Sequence, residues 1–187
     1  MDAGAFVEQL AGSRIGETHN QYAVGERAEL LRDRLTTYLA ARAGASLLLV
    51  GEAPGYRGAR VSGIPFTSEC QLTGQGPGEA TATIVRRVLD ELELTDDVLL
   101  WNVVPTHPGT ASSNRAPSRT EIEVGLPFAE WLARGRRVVA VGRVAQSALA
   151  APYVRHPSRG GASAFRTQLG RACKDFVAQS HKRLAAV

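Results

Sequence analysis

The stretch Leu47-Leu48-Leu49-Val50-Gly51-Glu52-Ala53-Pro54-Gly55, followed by Gly63-Ile64-Pro65-Phe66-Thr67-Ser68-Glu69, decides the fold of this chain. A short apolar run bounded by glycine and proline reads as a buried strand that ends abruptly. The turn after it then sits at the carboxyl end of a central strand, where open α/β sheets bind their ligands. That turn carries an acid, Glu52, in a backbone tight enough to need Gly51 and Gly55. Phe66 follows as an aromatic on a loop rather than on an amphipathic element. An acid and a loop aromatic suit a pocket for a flat, polar ring.

Outward from this stretch, apolar runs and helical patterns alternate. Residues 26–43 place Leu30, Leu31, Leu35, Tyr38 and Leu39 on one helical face, and residues 79–93 do so with Ile84, Val85, Val88, Leu89 and Leu92. Strands are expected at 46–50, 98–104 and 137–141, with a short extended piece at 153–156. Between the first helix pair lies a long glycine-rich loop, 51–78. Ser118 and Glu121 form a capping-box pattern that opens a helix over 118–134. A further helix starts near Val144, and a last one is expected over 164–185. The loop 105–117 is polar and reads as mobile. This order predicts an α/β fold, a three-layer α/β/α sandwich on a short central parallel sheet. The expectation is one domain over residues 1–187, with residues 1–43 as an N-terminal helical extension.

Composition agrees. Hydrophobic residues make up 44% and charged residues 21% of 187, ordinary for a globular protein. No apolar run approaches the ~20 residues of a membrane span. The start, MDAGAFVEQL, has an early acid and no basic segment, so no secretory signal is expected. The net charge of +4 and pI near 9.5 are compatible with a polyanion partner but do not single one out. Cys70 and Cys173 follow no metal-ligand spacing and read as free thiols of a reducing cytoplasm.

Five segments in order, GEAPG with its trailing GIPF, Trp101-Asn102-Val103-Val104, Asn114-Arg115-Ala116-Pro117-Ser118, Val138-Val139-Ala140-Val141-Gly142-Arg143 and His156-Pro157-Ser158, resemble the uracil-DNA glycosylase superfamily, nearest to its families four and five. The resemblance runs from about Leu47 to Arg166. It implies a monofunctional DNA glycosylase that hydrolyses the N-glycosidic bond of a flipped-out uracil, in single- or double-stranded DNA, and acts as a monomer. It implies that Glu52 and His156 are catalytic, with Glu69 as partner or rival, because family five uses an aspartate in FTGD where this chain reads Phe66-Thr67-Ser68-Glu69. Phe66 is implied as the base platform and Asn102 as the reader of the base edge. Gly51, Ala53, Gly55 and Tyr56 complete the base pocket, Ala53 standing where family one has a water-activating aspartate. Tyr56 is a candidate to replace the tyrosine that family one has at Gly55. Contacts to DNA are implied for Arg115, Arg143, Ser158, Arg159 and Gly160, with Arg159-Gly160-Gly161 standing where relatives often carry an apolar wedge; the glycines suggest a mobile loop. Families four and five usually hold an iron-sulfur cluster on four cysteines. Here two of those places read Thr106 and Gly125, so no cofactor and no metal are expected.

Each residue also has a plainer reading. Glu52 is equally a turn carboxylate, Phe66 a core aromatic, Asn102 a buried amide bonded to a loop, and His156 a turn residue before proline. Two other functions stay open: a glycosylase for another deaminated or 5-modified base, and a non-catalytic module that binds uracil or abasic DNA.

Overall fold

The apolar runs become strands because their side chains alternate between two cores. In the computed structural model, which describes residues 2–174, β1 (Leu47–Gly51) sends Leu48 and Val50 to one face of the sheet and Leu47 and Leu49 to the other. Both sets are fully buried, as expected for a strand covered on both sides. β2 (Val98–Asn102) and β3 (Arg137–Val141) flank β1 in parallel, and the short β4 (Tyr153–Val154) extends the sheet in the order β2-β1-β3-β4. Two connections leave the ends of β1 and β2 in opposite directions across the sheet, so the crevice characteristic of such folds opens at Gly51 and Asn102. The α/β/α sandwich expected from the sequence is the fold observed.

One core is closed by α1 (Ala3–Ala11), α2 (Ala28–Ala41), α6 (Arg119–Ala133) and α7 (Arg143–Leu149). Phe6 is its hub, packing edge-on against Trp101 and Phe128 at 5.5 and 5.6 Å and tilted against Trp131 at 5.0 Å. α5 (Ala80–Glu91) and α8 (Ala162–Ala172) close the other, through Val85, Val88, Leu89, Phe165 and Leu169. The capping box of α6 forms as read: Glu121 N–H donates to Ser118 Oγ at 3.2 Å and Ser118 N–H to Glu121 Oε2 at 2.8 Å.

Three local expectations need correcting. The glycine-rich stretch 51–78 is not all loop; it holds two short helices, α3 (Ala59–Ser62) and α4 (Glu69–Thr73). The first part of 105–117 is buried rather than free: Thr106 and His107 are fully covered, and His107 exchanges backbone hydrogen bonds with His19 at 2.9 and 3.0 Å. The strand expected over 98–104 stops at Asn102, though Val103 and Val104 still donate to the carbonyls of Gly51 and Glu52. The last helix is α8; the remainder of the range 164–185, beyond residue 174, lies outside the described residues. Cys70 is exposed and Cys173 buried, and both are free thiols. Among the described residues no helix is long and apolar enough to cross a membrane.

Candidate active site

Gly51 and Asn102 end their strands side by side, and a cleft of about 640 Å³ opens above them. Glu52, Ala53 and Gly55 line it from the turn after β1, and Phe66 and Asn102 form its base. The far wall comes from the segments after β3 and β4, with Arg143, His156, Ser158 and Arg159, and Arg115 reaches in from the loop before α6. Of the residues singled out in the sequence, Gly51 lies beneath Phe66, while Tyr56, Glu69 and Gly160 do not line the cleft.

The base of the cleft depends on Gly51 having no side chain. A β-carbon there would overlap the Phe66 ring and come within 2.8 Å of Asn102 Oδ1. Phe66 adopts φ 54°, a left-handed conformation that bulky residues rarely take and that costs on the order of 1–3 kcal/mol. The loop thereby lays the ring over Gly51, half-buried. Asn102 is only 4% exposed, and its amide makes no hydrogen bond to the described residues. Its open side is the cleft.

The turn carrying Glu52 is fixed at two points. His107 Nδ1 lies 2.8 Å from the Pro54 carbonyl, and Asn114 Oδ1 accepts from Tyr56 N–H at 2.9 Å. Neither tie was visible in the sequence, although Pro105-Thr106-His107-Pro108 is an unusually stiff opening for a loop. The Glu52 carboxylate has no partner among the described residues, and burial pushes its pKa above the usual carboxylate value.

Glu69 stands elsewhere. It is 9% exposed, and its carboxylate accepts from Arg27 at 2.7 Å and from Arg34 at 2.8 Å, both on or beside α2. Burial opposes ionisation, but the two guanidinium groups together hold its pKa below the ordinary value. It ties α4 to α2. The second acid of the cleft is Glu79, which the sequence reading missed because it looks like an ordinary acid before a helix.

His156 is placed as a hydrogen-bond donor. Its Nδ1 accepts from Ser158 N–H at 3.2 Å and lies 2.8 Å from Ser158 Oγ. A backbone N–H can only donate, so Nδ1 keeps its lone pair and Nε2 carries the proton. Burial lowers the pKa, so the ring stays neutral at physiological pH. The glycines after it build a tight turn rather than a loose one: Gly160 takes φ 75°, and Gly161 N–H donates to the Ser158 carbonyl at 3.0 Å.

The cations on the rim differ in freedom. Arg115 is engaged by the buried Glu121, and Arg143 lies 4.3 Å above the Tyr153 ring while donating to Gln146. Arg159, at φ 50°, is exposed and has no ion-pair partner among the described residues. Tyr56 sits beside Arg57, whose guanidinium is 5.4 Å from the ring centre.

An iron-sulfur cluster does not fit. The Thr106 hydroxyl is buried against the Thr18 hydroxyl at 2.5 Å, and a β-carbon at Gly125 would come within 2.6 Å of the Val103 carbonyl. Neither position offers a thiolate or room for one.

Comparison with known proteins gives two findings. The family model described as the Uracil DNA glycosylase superfamily matches residues 40–184. A solved structure, wild-type SMUG2 of Pedobacter heparinus, aligns over 100% of both chains with a TM-score of 0.61 and 14% identity. That likeness is one of fold. No curated protein matches the chain.

Proposed function

The chain belongs to the uracil DNA glycosylase superfamily, and from that premise we propose that it removes uracil from DNA, hydrolysing the N-glycosidic bond of a flipped-out nucleotide to leave an abasic site. The observation that carries this reading is the Asn102 amide, buried, unpartnered and facing a cleft beside an aromatic ring. Such an amide accepts from uracil N3–H and donates to O4. Cytosine presents the reverse pattern, which the amide in this orientation does not match. The base is out of reach inside a duplex, so it is extruded and stacked on Phe66.

Bond breaking follows from the charges. The C1′–N1 pair of electrons leaves with the base and collects at O2, where the Nε2–H of neutral His156 donates to it. The sugar becomes cation-like, and the unpartnered Glu52 carboxylate stabilises it. Water adds at C1′ and gives up its proton to Glu52 or to solvent. Of the two lysines of the chain, Lys174 is exposed and does not line the cleft, and Lys182 lies outside the described residues. Arg143 and Arg159 supply charge for the flanking phosphates.

The test is incubation of the purified protein with labelled uracil-containing oligonucleotides, single- and double-stranded, followed by alkali. Cleavage at the uracil supports the proposal. Tight binding with no cleavage in either substrate contradicts it and identifies a binding module instead.

A further inference from the structure

Glu79 is the residue before α5, yet its side chain makes no cap hydrogen bond there. The carboxylate lies over the backbone of Gly55 and Gly58, and a β-carbon at either glycine would overlap one of its oxygens. Neither glycine has a positive φ, so what these positions require is space. Burial alone raises the Glu79 pKa, with no hydrogen bond or cation to offset it. An acid kept half-buried without a partner is destabilising, so its place on the cleft wall needs another explanation.

We propose that Glu79 is a specificity-determining wall: its carboxylate fills the notch above Gly55 and Gly58 and limits the size of the base that the cleft accepts. Tyr56, expected to restrict that side, does not line the cleft. The inference rests on the base-excision reading and adds to it the residue that sets the substrate's bulk. Removing the carboxylate leaves room of about the size of a methyl or hydroxymethyl group, so the bases admitted would be pyrimidines substituted at C5.

Single-turnover release of uracil, thymine and 5-hydroxymethyluracil from otherwise identical oligonucleotides tests this in the wild type, Glu79→Ser and Glu79→Gln. Serine is a favoured N-cap, so α5 keeps its start, and a melting curve checks the fold. The rate for 5-substituted bases relative to uracil should rise roughly tenfold or more in Glu79→Ser, the scale of a methyl-sized change in a pocket, and stay within about threefold in Glu79→Gln. An unchanged ratio in Glu79→Ser, or an equal rise in Glu79→Gln, overturns the inference. Wild-type release of uracil with an unchanged ratio contradicts this inference alone, whereas release of no base by the wild type contradicts the proposed function and the inference with it.

Discussion

The Phe66 ring lies against the α-carbon of Gly51, close enough that a β-carbon at residue 51 would overlap it. The same β-carbon would crowd Asn102 Oδ1. One missing side chain therefore sets the positions of both the stacking platform and the edge reader.

Gly51→Ala should displace the two together. A shift of about 1 Å in a positioned group can cost ~10²-fold in rate, and that is the loss expected in single-turnover uracil release. The melting temperature should fall as well, since Phe66 and Asn102 must move to admit the methyl group, but the variant should remain folded. A variant with wild-type rates would show that the contact has no part in catalysis.

Much of this was readable from the chain. The runs Leu47–Val50 and Val98–Trp101 announce strands buried on both faces, and Ser118 with Glu121 announces a helix start. Phe66 stood out because a large aromatic on a glycine-rich loop has no helical or strand face to serve. α1 was missed as a separate helix in the sequence analysis, although its signal was there to read: Asp2 precedes a segment with Phe6, Val7 and Leu10 on one side and accepts from Ala5 N–H at 2.8 Å. The surroundings of Glu69 are not legible in the sequence for a physical reason: its neighbours in sequence do not reveal that Arg27 and Arg34, some forty residues away, surround its carboxylate. Glu79 was hidden likewise, since only the fold brings it over Gly55 and Gly58.

Asn102→Asp should weaken discrimination against cytosine. A carboxylate can accept from the cytosine exocyclic amine but cannot donate to uracil O4. Competition between uracil- and cytosine-containing strands reads this directly. Unchanged pyrimidine choice at wild-type uracil rates would make Asn102 a structural amide.

The pH dependence of the single-turnover rate should have one acidic limb, set by Glu52. Burial raises its pKa above 4.5, so the ionised form is lost as pH falls through that raised value. His156 has its pKa lowered from 6.5, so no break is expected at 6.5 itself. Glu52→Gln should abolish the acidic limb. A limb that persists in that variant assigns it to another group.

Acid stability should depend on Glu121. Its carboxylate is buried and accepts from Arg115, from Ser118 N–H and from Glu17 N–H, which bring its pKa down from 4.5 to about 2. A depressed carboxylate contributes stability above its unfolded pKa and loses it as pH falls through the folded one. The contribution at neutral pH is roughly 3 kcal/mol. Glu121→Gln should therefore melt well below the wild type at pH 7, and the gap should close between pH 4.5 and 2. A constant gap across that range would assign the loss to packing.

The central claim is that Glu52, at the end of β1, is the acid that works on the sugar. Single-turnover release of uracil by Glu52→Gln and Glu69→Gln, with binding measured in parallel, tests it most directly. Glu52→Gln should still bind uracil-containing DNA but cleave roughly 10²–10³ times more slowly, the scale of one lost preorganised charge. Glu69→Gln should slow cleavage about tenfold or less, the effect of weakened support, and should lower the melting temperature as Arg27 and Arg34 lose their partner. The reverse ranking, with Glu69→Gln nearly inactive and Glu52→Gln close to wild type, would contradict the account.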